Sequence, residues 1–370
     1  MSATLFASKS ARGSMVSRLA LILTLAAAIA TVIAPYRAGA QEAPSVPTHY
    51  KFTALSAPFP GVYATLGYGI NDLGDVVGAY QINEAPLNYP PNLIQHGYVL
   101  KKGTYTTIDV PFAGATNTVA TGINNLGEVV GSYLDSDGWS HGFTLKEGVF
   151  TSFDFPGPDV LDTEASAIND AGTLVGSYYD LNSNQTRGFV LSRGKFTSID
   201  AQFSDACCTR ALGINDRDEI VGDYSQGDIP FGFTLQHDKF ESFDWSMPPD
   251  YPDAFAGQNA LPTGISNRGE MVGAGFRFSQ GTFTPFTDMD LGSPDACGFE
   301  QACAAYGVND WGMVVGVILQ QDLSNSGFFI PQSGFLLIPQ YELTNQKRPD
   351  KAPKSQGAES QRAESLRSLD

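Results

Sequence analysis

Short runs of Val, Ile, Thr, Phe and Tyr, each stopped by Gly, Asn or Asp, return in the same order down the chain. The pattern is clearest in Thr121 to Asp154, TGINNLGEVVGSYLDSDGWSHGFTLKEGVFTSFD. β-branched and aromatic residues suit pleated, half-buried strands, and the interrupting residues suit turns. Each copy therefore predicts four strands, a to d. Strand a ends in Gly-Ile-Asn; strand b is Glu128 to Tyr133, strand c His141 to Glu147 and strand d Phe150 to Phe155. Sustained helical periodicity is absent from the array. Aligned on the Asn after the apolar pair, the copies fall at Asn71, Asn124, Asn169, Asn215, Ser266 and Asn309, steps of 43 to 53 residues. That period belongs to solenoids, arrays and propeller blades.

The recurring Asn and Gly have a conformational reading. Asn124 suits the first position of a type I turn, and Gly127 the left-handed residue that closes the hairpin. Asn71 with Gly74, Asn169 with Gly172 and Asn309 with Gly312 repeat the pair, while Asn215 is followed by Asp218, a tolerated left-handed residue. Tight turns also join c to d, as at Lys146-Glu147-Gly148. Variable length is confined to the b-to-c and d-to-a junctions, which in an up-and-down blade share one face. The fold class expected is all-β: a propeller of four-stranded blades, most simply six, with seven blades or an open solenoid as alternatives. Lys51 to Pro58, KFTALSAP, resembles Thr104 to Pro111 and reads as an extra strand d that can close the ring, although Gly334 to Pro339 already offers a strand there.

The ends differ from the array. Lys9, Arg12 and Arg18 precede an apolar run from Leu19 to Ala34, and Ala38-Gly39-Ala40 supplies small residues for cleavage, so residues 1–40 read as a signal peptide. A linker follows at 41–49, the repeat domain spans 50–340, and 341–370, rich in Lys, Ser, Gln, Glu and Pro, reads as a disordered tail. The formal charge is −17; without the first forty residues it is −21. That field disfavours nucleic acid and anionic membranes and favours solubility, cations or basic partners. The expectation is an exported monomer, free of the membrane after cleavage.

Ile70 to Gly78, INDLGDVVG, and Ile123 to Gly131, INNLGEVVG, resemble the Ile-Asn-x-x-Gly-x-Val-Val-Gly half of the bacterial probable extracellular repeat family named for a His-Ala-Phe signature. The signature itself departs: His96-Gly97-Tyr98, His141-Gly142-Phe143, Arg187-Gly188-Phe189, Phe231-Gly232-Phe233 and Ser326-Gly327-Phe328 carry Gly for Ala. The resemblance spans about Tyr50 to Pro339 and implies export and repetition, with no defined reaction.

No nucleophile elbow, zinc-protease motif, P-loop or dinucleotide fingerprint is present. No catalytic residue is therefore assigned. The strand d aspartates, Asp109, Asp154, Asp200 and Asp244, recur once per copy and read as caps of strand ends, dispersed around the rim. His96 and His141 share a slot with Arg187, Phe231 and Ser326, which points to packing. Cys207, Cys208, Cys297 and Cys303 all precede a strand a, in d-to-a loops; export predicts them oxidised, with a Cys297 to Cys303 bridge and a strained vicinal Cys207 to Cys208 bridge favoured. The binding candidates are long-loop residues, Asp135, Asp137, Trp139, Asp162, Trp245, Tyr251 and Asp253. No cofactor is expected, calcium being the cation to try, since Asp135 to Gly138 faintly resembles a calcium loop. A non-enzymatic scaffold that binds a protein or glycan through this acidic face is the leading reading. A secreted hydrolase or lyase with polar residues at the channel mouth, unique to one or two copies, is the alternative.

Overall fold

The computed structural model describes residue 47 and residues 49–83, 93–243, 246, 259–286, 301–321 and 329–340. By its contacts the chain divides at Val46, and all the described residues belong to the second unit. Blade one is β2 (Val62–Ile70), β3 (Val76–Asn83), β4 (Leu93–Lys101) and β5 (Thr104–Ile108), and blade two is β6 (Thr116–Ile123), β7 (Val129–Leu134), β8 (Ser140–Lys146) and β9 (Val149–Phe153). Blade three is β10 (Val160–Ile168), β11 (Leu174–Asp180), β12 (Gln185–Ser192) and β13 (Lys195–Ile199). Blade four is β14 (Ala206–Ile214), β15 (Ile220–Gln226), β16 (Ile229–Gln236) and β17 (Lys239–Phe243). Blade five has the short strands β18 (Pro262–Ile265), β19 (Met271–Gly273), β20 (Phe276–Ser279) and β21 (Thr282–Pro285). Blade six is β22 (Gln301–Val308), β23 (Val314–Gln321) and β24 (Phe329–Pro339), completed by β1 (Tyr50–Leu55). Each sheet is antiparallel and meandering, so the fold is an all-β, six-bladed propeller.

Ring closure decides between two expectations. Tyr50 to Leu55 pairs with Pro339 to Gly334, so KFTALSAP is the outer strand of blade six and Gly334 to Pro339 is its third strand. The register also corrects the repeat alignment. Phe143 lies opposite Gly131 in blade two, and in blade six Phe335 lies opposite Gly316, so the signature slot there is Ser333-Gly334-Phe335; Ser326-Gly327-Phe328 lies outside the described residues. Gly275-Phe276 fills the same slot in blade five. A Cβ on Gly131 would sit 1.9 Å from the Val119 carbonyl oxygen and 2.8 Å from the Phe143 ring, which is why the Val-Val-Gly glycine recurs.

The core is a set of wedges between blades. Phe143 and Phe150 pack with Val77, Ile108 and Val129 between blades one and two, while Phe153 and Phe155 pack on Tyr178, Phe189 and Phe196 between blades two and three. β9 and the residues after it thus serve two wedges, which removes simple alternation. Phe155 stacks on Tyr178 at 3.7 Å.

Two belts of hydrogen bonds tie the inner strands at the a-to-b turns. Asn71 donates its side-chain amide to the Asn124 carbonyl (3.0 Å), Asn124 to Asn169 (3.1 Å), Asn169 to Asn215 (3.2 Å), Asn215 to Ser266 (3.1 Å) and Asn309 to Asn71 (2.9 Å). Each asparagine also shapes its own turn, as where Asn124 Oδ1 accepts from the Leu126 and Glu128 amides. Gly127 has φ 79° and Asp218 φ 57°, the left-handed values that the turn requires. One residue on, the second belt is complete: the backbone amides of Asp72, Asn125, Asp170, Asp216, Asn267 and Asp310 each donate to the side chain of the next member, at 2.7 to 2.8 Å. Asn125 is therefore not a permissive turn position. Its amide nitrogen also donates to Asp72 (3.1 Å) and Asp170 (3.0 Å).

A buried polar group holds the closing strand. Arg277, 1% exposed, donates to the Tyr50 hydroxyl and to Glu270 (2.8 Å), while Tyr50 is fully buried.

Two mutational outcomes follow from these belts and this clasp. Asn125→Ala removes bonds to both neighbouring blades and is expected to cost on the order of 1–3 kcal/mol, comparable with Gly127→Val, which forces a β-branched residue to positive φ. A urea midpoint for Asn125→Ala that matches wild type would refute the belt. Arg277→Ala removes the cation that Glu270 faces and one bond to the Tyr50 hydroxyl in the interior, and should cost about 3–5 kcal/mol, read from the same denaturation curves.

Candidate functional site

The inner strand of every blade runs along the axis, so its residues form layers around a central channel. Counting back from the turn asparagine, the first layer is Ile70, Ile123, Ile168, Ile214, Ile265 and Val308, an apolar collar shared by the channel and a small cavity of about 70 Å³ inside the belts. Asp72 stands in that small cavity; burial, reinforced by the charges of Asp310 and Asp170 and opposed by the Asp310 amide, raises its pKa. Further in, the channel opens to a cavity of about 420 Å³.

The walls of this cavity abandon the repeat. Three residues before the asparagine stand Tyr68, Thr121, Ser166, Leu212, Thr263 and Tyr306, all in the cavity lining; of the residues five before it, Arg210, Leu261 and Ala304 line the cavity, while Leu66, Val119 and Glu164 lie outside the lining. Blades six and one lie opposite blades three and four in a six-membered ring, so the Tyr68 and Tyr306 pair faces the Glu164 and Arg210 pair. The charge of Arg210 is felt at Tyr306 across the channel.

Tyr68 and Tyr306 meet edge to face at 5.2 Å. Burial, then the neighbouring Tyr306, pushes the Tyr68 phenol well above its usual value, and burial does the same at Tyr306. Both hydroxyls stay protonated, and neither has a hydrogen-bond partner among the described residues. Opposite, Arg210 binds Asp223 through two parallel bonds, Nε to Oδ1 at 2.9 Å and Nη2 to Oδ2 at 2.5 Å. Asp223 is 4% exposed, and its bonds hold the guanidinium charged with the other edge free to face the channel. Glu164 lies beside Arg210 without a direct ion pair. Burial raises its pKa against a Ser140 hydrogen bond and the Arg210 charge, which lower it. The walls are reached by solvent yet enclosed by protein, the setting in which such groups act strongly.

The sequence-derived candidates lie elsewhere or take other roles. Asp135 accepts from the Asp137 and Trp139 amides (2.8 and 2.9 Å), so its carboxylate shapes a hairpin tip beside exposed Trp139. Among the described residues no group of three or more acidic, His or Cys side chains is placed to hold a metal ion, and no helix is long and apolar enough to cross a membrane. Asp162, expected in a loop, lies in β10 with Glu164, where Asp162 has φ 48° at a bulge and accepts from the Ser140 amide of blade two (2.9 Å). Trp245, Tyr251 and Asp253 lie outside the described residues.

Cys207 and Cys208 are also in a strand, β14, and are free thiols, which corrects the vicinal bridge. Cys208, at φ 55°, holds the bulge position that Asn117 and Asp162 hold in blades two and three. Cys303 is buried in β22, and Cys297 lies outside the described residues. The strand d aspartates do not cap strand ends; they pair with the signature slot of their own blade, Asp109 with His96 (3.0 Å), Asp154 with His141 (2.7 Å) and Asp200 with Arg187 (2.8 Å), because the c-to-d hairpin sets those positions side by side. Asp244 lies outside the described residues. The slot also packs as expected, His96 on Tyr80 and His141 on Tyr133.

The channel residues escaped the sequence reading because attention went to what repeats. Aligning the copies and asking what breaks the register would have isolated Glu164 and Arg210, the charged residues of their layer.

His141 also contacts Asp135 (3.2 Å). Desolvation opposes its charged form, but hydrogen bonds to Asp154 and Asp135 and their charges outweigh it, so its pKa is raised. A raised histidine pKa stabilises the fold below its unfolded value, and the gain is lost as pH rises through the folded value. His141→Gln should therefore lower Tm at pH 5.5 and have little effect at pH 8.5; equal losses would refute the charged contact.

No family model matches the chain, and no curated protein matches it. Solved structures similar in fold include a protein of unknown function from Dyadobacter fermentans, at 10% identity and TM-score 0.45, covering 78% of this chain and 98% of that one. The β-propeller domain of the Trilobed protease from Pyrococcus furiosus, described as having an open velcro topology, is 9% identical with TM-score 0.39 over 74% and 94% of the two chains. An alpha-L-arabinanase from Penicillium chrysogenum complexed with arabinobiose is 10% identical with TM-score 0.38 over 80% and 98%.

Proposed function

We propose that the protein is an exported, non-enzymatic binding propeller of the extracellular-repeat class, taking a small ligand into its central channel. One observation carries this reading: four residues that depart from the repeat, Tyr68, Arg210, Asp223 and Tyr306, line one cavity, with Glu164 beside Arg210. A fold that needs only repeated turns and wedges has no use for a charged and phenolic channel lining. The cavity volume lies within the roughly 300–1,000 Å³ of small-molecule sites. The charged layer stands about 15 Å along the strand from the belts, toward the long loops. Entry is from that face, where the acidic loops and Trp139 form the rim for a protein or glycan partner. The leader, Lys9 to Ala40, supports export, and an oxidising compartment supports a Cys297 to Cys303 bridge.

A secreted hydrolase or lyase is the second reading. Glu164 favours it, as a carboxyl with raised pKa beside the cavity is a general acid in kind.

Thermal-shift screening of residues 41–370 against small polar metabolites, with calcium as a separate arm, tests the channel. Wild type should gain about 3–6 °C with a ligand at a hundred times its Kd; Arg210→Met should lose the gain and Asp135→Ala should keep it. A gain that survives Arg210→Met and is lost with Asp135→Ala moves the site to the loops. Turnover of a hit that Glu164→Gln abolishes would establish the enzyme instead.

A further inference from the structure

We infer that the channel site takes an uncharged polyhydroxylated ring, a free monosaccharide or the end of a glycan, held between the Tyr68–Tyr306 wall and the Arg210–Asp223 wall, beside which Glu164 stands. The inference rests on the reading of the channel as a binding site and names its ligand class. Charge decides first. The second wall carries the Arg210 guanidinium, already matched by Asp223 at both of its oxygens, and Glu164 stands beside Arg210 outside the lining. A ligand anion drawn to the half-exposed Arg210 would face Asp223 with Glu164 close by, and a ligand cation drawn toward the carboxyls would face Arg210. Either charge would be desolvated beside a like one, which is unfavourable.

An apolar ligand fares no better. It would cover the free edge of Arg210 and two phenol hydroxyls that have no partner among the described residues, and each buried polar group left unsatisfied opposes binding. A neutral polyol satisfies both signs at once. Its hydroxyls donate to the carboxyls and accept from Arg210 and from the tyrosine O–H groups. Adjacent hydroxyls suit a guanidinium edge, which presents two parallel N–H donors. Arg210 needs no rearrangement to do this, because Asp223 fixes its plane from behind.

The first wall supplies the other half of the recognition. Tyr68 and Tyr306 meet edge to face, so the pair offers rigid aromatic surface as well as hydroxyls, suited to the C–H face of a sugar ring. Since blades six and one face blades three and four, a ring entering along the axis meets aromatic surface on one side and charged hydrogen-bonding groups on the other. A cavity of about 420 Å³ holds a ring of this kind with room for water.

The test is saturation-transfer NMR and calorimetry on residues 41–370 with D-glucose, D-galactose and D-xylose, against D-glucuronate, D-glucosamine and L-glutamate. At least one neutral sugar should bind, at least about tenfold more tightly than the charged probes. Arg210→Met and Tyr306→Ala should each weaken it about tenfold or more, the worth of one lost hydrogen bond to a charged group or one lost ring contact. Tyr306→Phe keeps the ring, removes only the hydroxyl and should cost less than Tyr306→Ala; unfolding curves identify variants that fail to fold. If no sugar binds while L-glutamate or another charged probe binds and depends on Arg210, the ligand class is wrong and the channel reading stands. If sugars bind but ignore Arg210 and Tyr306, the site is wrong. If none of the probes binds and the metabolite screen is also silent, both readings fall.

Discussion

The structure depends on joining six small sheets at their inner edges. A four-stranded sheet has two edges of unpaired backbone groups and cannot stand alone. Here the inner edges face one another around an axis, and the asparagine and aspartate side chains of the a-to-b turns bridge them. The first belt lacks its link at Ser266, whose hydroxyl accepts from its own turn, at Arg268 and Glu270, and has no amide to reach Asn309. The second belt passes that point through Asn267 and Asp310. Closure therefore does not rely on one residue type per blade. Among the described residues the outer edges have no such belt; in blades one to four a tyrosine of the second strand bonds instead to a hydroxyl of the fourth, as Tyr133 does with Ser152.

Closing the ring makes the channel, and the repeat makes it regular enough for exceptions to matter. The layer next to the belts is apolar in all six blades. Beyond it no side chain is required by the turns, and the sequence is free to vary. Charged and phenolic residues accumulate where the scaffold leaves that freedom. Arg210 and Asp223 sit on adjacent strands of one blade, which fixes the guanidinium on a rigid sheet and not on a loop. The residues that support Arg210 are those of the fold itself.

The loops and the channel differ in what their polar groups already hold. The described loops carry carboxylates already engaged with backbone amides, His or Arg, as at Asp135 and Asp180. Their charge raises the local field without leaving free coordination. The channel, by contrast, presents an edge of Arg210 that Asp223 does not take up and two tyrosine hydroxyls.

Much of the architecture was legible in the residues. Period, turn chemistry and strand composition specify four strands per copy, six copies as the simplest count and an extra strand d at Lys51 to Pro58 that can close the ring, because turns and strands are read from neighbours in sequence. Gly127 and Asp218 could be assigned left-handed conformations for the same reason. What the sequence could not show is register and the meeting of distant blades. Two Ser-Gly-Phe triplets compete in the last copy, and only strand pairing selects Gly334-Phe335. Asn125 looks like an ordinary turn residue until the ring brings Asp72 and Asp170 to its sides. Cys207 and Asp162 read as loop residues because bulges extend the inner strand beyond where alternation stops. Tyr68 and Arg210 are 142 positions apart, and that they face each other follows only from closing six blades into a circle.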